Sequence, residues 1–242
     1  MPTSEPPAVE PIVRLKDVHL DMASDAGTVN ILRGITLDIA AGEIAAVVGP
    51  SGAGKSSLMM VAGGLERATS GLVEVAGRDL GRLGDDDRAR LRRDYIGIVF
   101  QGFHLIPTMT ALENVALPLE FAGHGDAFDL ARAALERVGL GHRIGHYLAQ
   151  LSGGEHQRVA VARAFVGQPK LMLADEPTGN LDGATGKQVM DLLFEMARAH
   201  GTTLVLITHD MGLAERCDRV LRIADGLLVA DQRMRPAALA AQ

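Results

Sequence analysis

Aromatic and sulfur chemistry are scarce in this chain, which carries no tryptophan, two tyrosines and one cysteine in 242 residues. The lone Cys217 excludes an intrachain disulfide and agrees with a reducing compartment, and no functional thiol is expected there. Positive charge is in short supply too: 24 lysines and arginines stand against 30 aspartates and glutamates, a net charge of −6. That balance argues against nucleic acid as a ligand, because binding a phosphodiester backbone depends on a basic surface. The basic run Arg88-Ala89-Arg90-Leu91-Arg92-Arg93 follows Asp85-Asp86-Asp87. Acid first and base last suits a solvated helix aligned with its own dipole. No apolar run approaches the about 20 residues that a bilayer-crossing helix needs, so a link to a membrane is expected to run through a partner. Residues 1–7 are proline-rich, without a basic region or an apolar core, and do not read as a signal peptide. Residues 1–11 are expected to be a disordered tail and 231–242 a C-terminal tail.

Glycine, by contrast, is abundant, and its placement carries chemistry. In Gly49-Pro50-Ser51-Gly52-Ala53-Gly54-Lys55-Ser56-Ser57, residues Gly49, Gly54, Lys55 and Ser56 meet the phosphate-loop pattern G-x-x-x-x-G-K-[ST]. An apolar run at 44–48 precedes it and a helix-like stretch follows, the strand, loop, helix context that the pattern needs. Glycines let successive backbone N–H groups turn into one concavity, and the following helix starts with unpaired donors and a positive dipole end. Lys55 would then reach the outer phosphates and Ser56 would hold Mg²⁺. A glycine-rich turn that merely starts a helix is the bland alternative, and the spacing and context disfavour it.

A second element, Lys170-Leu171-Met172-Leu173-Ala174-Asp175-Glu176, is an apolar run ending in two carboxylates between Pro169 and Pro177. It reads as a buried parallel strand, whose C-terminal end is where open α/β sheets bind ligands. Alone, this would be an ordinary strand-to-loop transition. Beside a phosphate loop, Asp175 could hold Mg²⁺ and Glu176 could polarise the attacking water. A third element, Leu151-Ser152-Gly153-Gly154-Glu155, has the S-x-x-E spacing of a capping box that opens a helix, with Val159, Ala162 and Val166 at helical spacing beyond. A helix start preceded by glycines is also a second phosphate-binding surface. One triphosphate needs one cradle, so the second is either idle or serves another subunit's nucleotide.

The remaining pattern suggests two lobes. Residues 12–48 alternate as strands, with Ile35, Leu37 and Ile39 on one face, and 73–77 add another strand, predicting a mostly antiparallel start. Residues 111–166 look helical; Pro118 should kink or end the helix over 111–121, and Phe128, Ala131, Leu135 and Val138 form a second apolar face. Beyond 168, strand and helix alternate: 171–174, then a helix with Val189, Leu192, Leu193 and Met196, then 203–207, as in a parallel sheet. Asp225-Gly226 reads as a hairpin turn between two last strands.

Leu151-Ser152-Gly153-Gly154-Glu155-His156-Gln157-Arg158 resembles the signature of ABC-type ATPases, and the other motifs stand in that family's order. Gln101 resembles the glutamine loop, Gly179-Asn180-Leu181-Asp182 the D-loop and His209 the histidine switch. The residues at 103–115 and 174–182 are similar to the lipoprotein-release and macrolide-efflux branch. The resemblance implies an α/β P-loop NTPase with a RecA-like core sheet, an N-terminal antiparallel β subdomain and a helical signature subdomain. It spans one ATPase domain over 12–230, with 12–100 and 168–230 as nucleotide-binding core and 101–167 as helical subdomain.

By position, the family roles put Glu176, His209 and Gln101 in catalysis, and Ser56, Gln101 and Asp175 on Mg²⁺. Gly49, Pro50, Ser51, Gly52, Ala53, Gly54, Lys55, Ser56 and Ser57 would hold ATP in one chain, with Ser152, Gly153, Gly154, Glu155 and Asp182 acting from another. The implied partners are a second copy in an ATP-dependent head-to-tail homodimer and an FtsX-like permease with few spans, docked near the apolar segment 103–114. The implied place is the cytoplasmic face of the inner membrane, with export, lipoprotein or lipid extraction, or mechanical transmission as the task. A soluble non-transport ABC-type ATPase, or a force-transmitting regulator of cell-envelope enzymes, is the alternative. One departure stands out: the family's adenine-stacking aromatic falls in register on Met22, with His19 nearby. ATP is favoured, with GTP tolerated more than usual.

Overall fold

The computed structural model describes residues 10–24 and 27–234. Of the tails expected at 1–11 and 231–242, residues 1–9 and 235–242 lie outside the described residues, while Pro11 opens the first strand and 231–233 belong to the last. Along the chain run β1 (Pro11–Ser24), β2 (Gly27–Ala40), β3 (Ile44–Val48), α1 (Lys55–Ala62), β4 (Ser70–Val75), β5 (Arg78–Asp79), α2 (Asp85–Tyr95) and β6 (Ile96–Phe100). Then come α3 (Ala111–Phe121), α4 (Ala127–Arg137), two 3-10 turns (Gly141–Arg143 and Leu148–Gln150), α5 (Gly153–Phe165) and β7 (Leu171–Asp175). The last are α6 (Gly183–His200), β8 (Thr203–Ile207), α7 (Met211–Ala214), β9 (Arg219–Ala224) and β10 (Leu227–Arg233).

These strands form a four-stranded antiparallel sheet, β2-β1-β4-β5, and a six-stranded sheet, β10-β9-β3-β8-β7-β6. In the larger sheet β9, β3, β8, β7 and β6 run parallel, and only β10 is antiparallel, joined to β9 through Asp225 and Gly226, both with positive φ. That is the hairpin turn read from the sequence. The five residues of β3 and of β8 are all buried, as expected for parallel strands covered on both faces. Alternation then assigns the two faces. Ala45, Val47, Leu173, Val205 and Ile207 pack with α1 and the antiparallel sheet, while Ile44, Ala46, Val48, Met172, Leu204 and Leu206 pack with α3 to α6. The chain therefore has two cores back to back on one sheet.

The local signals explain most elements. Thr110 caps α3 and Ser152 caps α5, each in a full capping box, and Asp182 caps α6 by accepting from Ala184 N and Thr185 N. Helix α2 carries Asp85, Asp86 and Asp87 in its first turn and Arg92 and Arg93 in its last, in line with its dipole. Its Arg88, however, is buried. Pro118 does not end α3, which runs on to Phe121. The ring falls in the last turn, where one backbone bond is lost and Ala122 N still reaches Pro118 O at 3.1 Å. Cys217 is buried, and desolvation with the nearby Asp218 charge pushes its thiol up to about 12, so it is inert as a nucleophile.

One ion-pair cluster ties the two sheets. Arg219 on β9 grips Asp231 on β10 with both Nε and Nη2 at 2.6 Å, and Nη1 donates to the Asp38 carbonyl of β2 at 2.7 Å. Glu43 stands 3.5 Å from the same Nη1. Arg219→Met leaves half-buried Glu43 and exposed Asp231 without their cation, and should lower the unfolding free energy by about 1 kcal/mol in a denaturant titration. The hydrogen bond from Arg219 holds the Asp231 carboxyl below the usual range. Its folded pKa is thus below its unfolded one, so its contribution is full above the unfolded value and fades as pH falls through the folded value. Asp231→Asn should flatten that acid limb; an unchanged acid limb would remove the pair from the stability account.

Candidate functional site

The site is built where the parallel strands end. β3 delivers the chain into a loop in which Gly49, Gly52 and Gly54 have φ of 155, 76 and 97 degrees. A side chain at Gly49 would collide with the Ile223 carbonyl, and one at Gly54 would lie 2.8 Å from the Ile31 carbonyl, so only glycine lets the loop pass that close to β9 and β2. Helix α1 then starts at Lys55 with no side-chain cap, leaving its first N–H groups free to meet an anion. Lys55 curls back, donating from Nζ to the carbonyls of Gly49 at 3.0 Å and Pro50 at 2.8 Å.

Around this loop lies a cleft of about 590 Å³, lined by Gly49, Ser51, Gly52, Gly54, Lys55, Ser56, Ser57, Gln101, Asp175, Glu176 and His209. Eleven residues expected to act on one nucleotide are thus brought together from β3, β6, β7 and β8. Pro50 and Ala53 complete the loop without lining the cleft. Asp175 ends β7, and Glu176 follows with φ of 45 degrees, a left-handed conformation held by its N–H on the Ile207 carbonyl at 3.0 Å. That turn swings the Glu176 carboxylate across to His209, whose Nδ1 is 2.7 Å from Oε2. Gln101 and Asn180 meet across the opening, with Asn180 Nδ2 donating to the Gln101 carbonyl at 2.9 Å. Ser56, Asp175 and Gln101 offer hydroxyl, carboxylate and amide oxygens, a donor set that suits a hard divalent cation.

The remaining expected residues are elsewhere. Ser152, Gly153, Gly154 and Glu155 open α5 in the helical lobe, and none lines the cleft. Ser152 Oγ accepts from Glu155 N at 3.3 Å and donates to Glu155 Oε2 at 2.9 Å, so the Glu155 carboxylate is turned into its own cap. Gly154 is buried against α6, where a Cβ would strike the Thr185 methyl. Asp182 lines a separate cleft beside Lys187 and Arg216. Hydrogen bonds from its cap, Thr185 N–H first, hold its carboxyl below the usual range.

Several residues of the site carried no local signal. Ile31 on β2 lines the cleft beside Gly54. Two positions away along β2, exposed Val29 stands opposite exposed Met22 on the same face of the β1–β2 ribbon. Met22 and Val29 thus make an exposed apolar pair two residues along β2 from Ile31, across a register shift in the β1–β2 ladder, whereas the His19 ring is engaged by Asp17 at 3.1 Å. Arg163 on α5 is the other omission. It donates to the carbonyls of Phe103 at 3.0 Å and His104 at 2.6 Å, both residues with positive φ, and so ties the segment after Gln101 to the helix that starts at Ser152. Only the cross-chain pairing of strand with strand, or of helix with loop, reveals either.

Residues 32–179 match the family described as ABC transporter. The chain is 48% identical over 221 residues to the uncharacterized ABC transporter ATP-binding protein YbbA of Escherichia coli (strain K12), covering 90% of this chain and 97% of that one. It is also 48% identical over 221 residues to the lipoprotein-releasing system ATP-binding protein LolD 2 of Caulobacter vibrioides, with the same coverage. Among solved structures, the dimeric ATP-binding cassette MJ0796, in a post-hydrolysis state with ADP and Pi, is similar at a TM-score of 0.86. It is 38% identical, and the match covers 92% of this chain and 99% of that one. A phosphate cradle, two carboxylates at the end of β7 and a second capped helix outside the cleft come together with these matches: the chain belongs to the ABC transporter family, as an ATP-hydrolysing subunit close to YbbA and LolD.

Proposed function

We propose that this subunit hydrolyses ATP at the interface of a head-to-tail homodimer and drives an integral membrane permease. The observation that carries the reading is the division of the site: the cleft gathers Lys55, Ser56, Gln101, Asp175, Glu176 and His209, while the second anion-accepting helix start, at Ser152, lies outside it. Two-fold pairing gives each half-site its complement. The similarity to a dimeric cassette supports that assembly.

In the proposed cycle the left-handed glycines and the start of α1 bind the phosphates, and Lys55 exchanges its two loop carbonyls for phosphate oxygens. Ser56, Asp175 and Gln101 would hold Mg²⁺, which supplies charge neutralisation on the phosphates. Glu176 takes the proton of the attacking water, and His209, already at 2.7 Å from it, orients that carboxylate and meets the γ-phosphate. Ser152, the N–H groups of Gly153 and Gly154, and Asp182 act from the second chain. Closure is favoured because both chains bind the γ-phosphate, and it is lost once that shared group is released. The adenine lies against Met22, Val29 and Ile31; apolar contact without a stacked ring discriminates bases weakly, which leaves GTP as a tolerated substrate.

The permease docks on the segment after Gln101. Phe103, Leu105, Ile106 and Met109 are half-buried and Pro107 is exposed. Buried Asn114 holds this segment from beneath, accepting from Ile106 N at 2.8 Å and donating to the carbonyls of Ile106, Met109 and Thr110. Among the described residues no helix is long and apolar enough to cross a membrane, in keeping with a peripheral place on the inner face.

Glu176→Gln should cut turnover by at least about a hundredfold while retaining ATP, and should run as a dimer in sedimentation velocity with saturating ATP and Mg²⁺. A monomer under those conditions would exclude shared sites. Pro107→Glu together with Thr108→Glu should change the ATPase rate of the isolated chain by less than about twofold, as expected of exposed positions. The same variant should lose the integral membrane protein that copurifies with the wild-type chain; undiminished recovery would move the docking surface elsewhere.

A further inference from the structure

Glu155 sits three residues into the cap of α5, at the place where the second half-site must accept an anion. Its carboxylate is ionised: the Ser152 backbone N–H, first among several partners, holds it below the usual range. Oε2 accepts both Ser152 N, at 2.8 Å, and the Ser152 hydroxyl, at 2.9 Å. A fixed negative charge therefore stands beside the surface meant for a triphosphate, and it occupies the single hydroxyl proton of the serine that would bind it.

The opposing charge comes from outside the helix. Arg143 ends the 3-10 turn Gly141–Arg143, and its Nε donates to Glu155 Oε1 at 3.2 Å. The pair is partly covered, with side-chain exposures of 37% for Arg143 and 14% for Glu155. Arg143 is itself held in place: its Nη1 is 3.2 Å from His146 Nε2, its N–H donates to the Leu140 carbonyl and its own carbonyl accepts from His146 N. Among the described residues it is the one cation paired with Glu155.

We infer that Arg143 is a positioning residue of the signature half-site, whose guanidinium neutralises Glu155 so that Ser152 and the start of α5 can receive the triphosphate held by a second chain. This rests on the shared-site reading above. Two effects act in the same direction. The arginine cancels the repulsion between the carboxylate and the incoming phosphates, which is strongest once the interface excludes water. By drawing charge toward Oε1, it also weakens Oε2 as an acceptor, so the Ser152 hydroxyl turns from Glu155 to the γ-phosphate at lower cost. The Glu155 backbone N–H keeps Ser152 Oγ in place during that exchange, since it bonds the oxygen rather than the proton.

The test is a double-mutant cycle in the Glu176→Gln chain, with dimer dissociation constants measured by sedimentation equilibrium in saturating ATP and Mg²⁺. Arg143→Gln, which keeps the stem without the charge, should weaken the dimer by about tenfold, and Arg143→Lys should retain most of the affinity. In the Glu155→Gln background the same Arg143→Gln change should cost less than about twofold, because no charge remains to be neutralised. An equal penalty in both backgrounds would make Arg143 a structural support only and overturn the inference. If Arg143→Gln fails to fold, Arg143→Met, which also removes the charge while keeping the length of the stem, separates the same two outcomes when compared with and without Glu155→Gln. Failure of the parent Glu176→Gln chain to dimerise would instead overturn the shared-site reading.

Discussion

A triphosphate concentrates several negative charges at one end, and the loop between β3 and α1 would meet them with backbone N–H groups turned by its left-handed glycines. That loop leaves no freedom elsewhere. Gly49 runs against the Ile223 carbonyl of β9 and Gly54 against Ile31 of β2, so the loop is clamped between both sheets. The groups expected to do chemistry are set relative to it by the parallel register. Asp175 lies opposite Ile207 on β8, Val47 on β3 also pairs with Ile207, and Gln101 follows Phe100 on β6, which pairs with Asp175. Strand spacing in one sheet thus sets the distances between phosphate loop, carboxylates and glutamine.

Inside the helical lobe, polar contacts fall on functional segments. Arg163 reaches from α5 to the carbonyls of Phe103 and His104, and Asn114 on α3 holds Ile106 to Thr110. Arg163 therefore joins the segment after Gln101 to the helix that begins at Ser152. Desolvation lowers the Arg163 pKa, yet its two carbonyl partners keep the guanidinium satisfied. The start of α5 is pinned in turn against α6 through Gly154 and Thr185, which links signature and D-loop within one chain.

Features with short-range causes were legible in the sequence. The cap at Ser152, the Asp225-Gly226 turn, the dipole-aligned α2 and the phosphate loop each depend on residues within a few positions of one another. Pro118 shows the limit of a local rule, since its position in the last turn let α3 continue to Phe121. Met22 was named by its register, but its pairing with Val29 near Ile31, the Arg219 cluster and the Arg143–Glu155 pair were not legible. The last two join residues 12 positions apart, and Arg219 also bonds Asp38, 181 positions away. No periodicity or spacing marks such partners.

The sequence by itself determined the chemistry: which residues can cradle phosphates, which carboxylates end a buried strand and which serine opens a helix. It could do so because backbone conformation and capping are decided by neighbouring side chains. Only the tertiary structure decided which of these groups share a cleft. Parallel pairing brought Lys55, Asp175, Glu176 and His209 to one end of a sheet, and helix packing left Ser152 and Glu155 outside it. That separation follows from burying two apolar faces of one sheet under different elements, a constraint that belongs to the whole chain and to no segment of it.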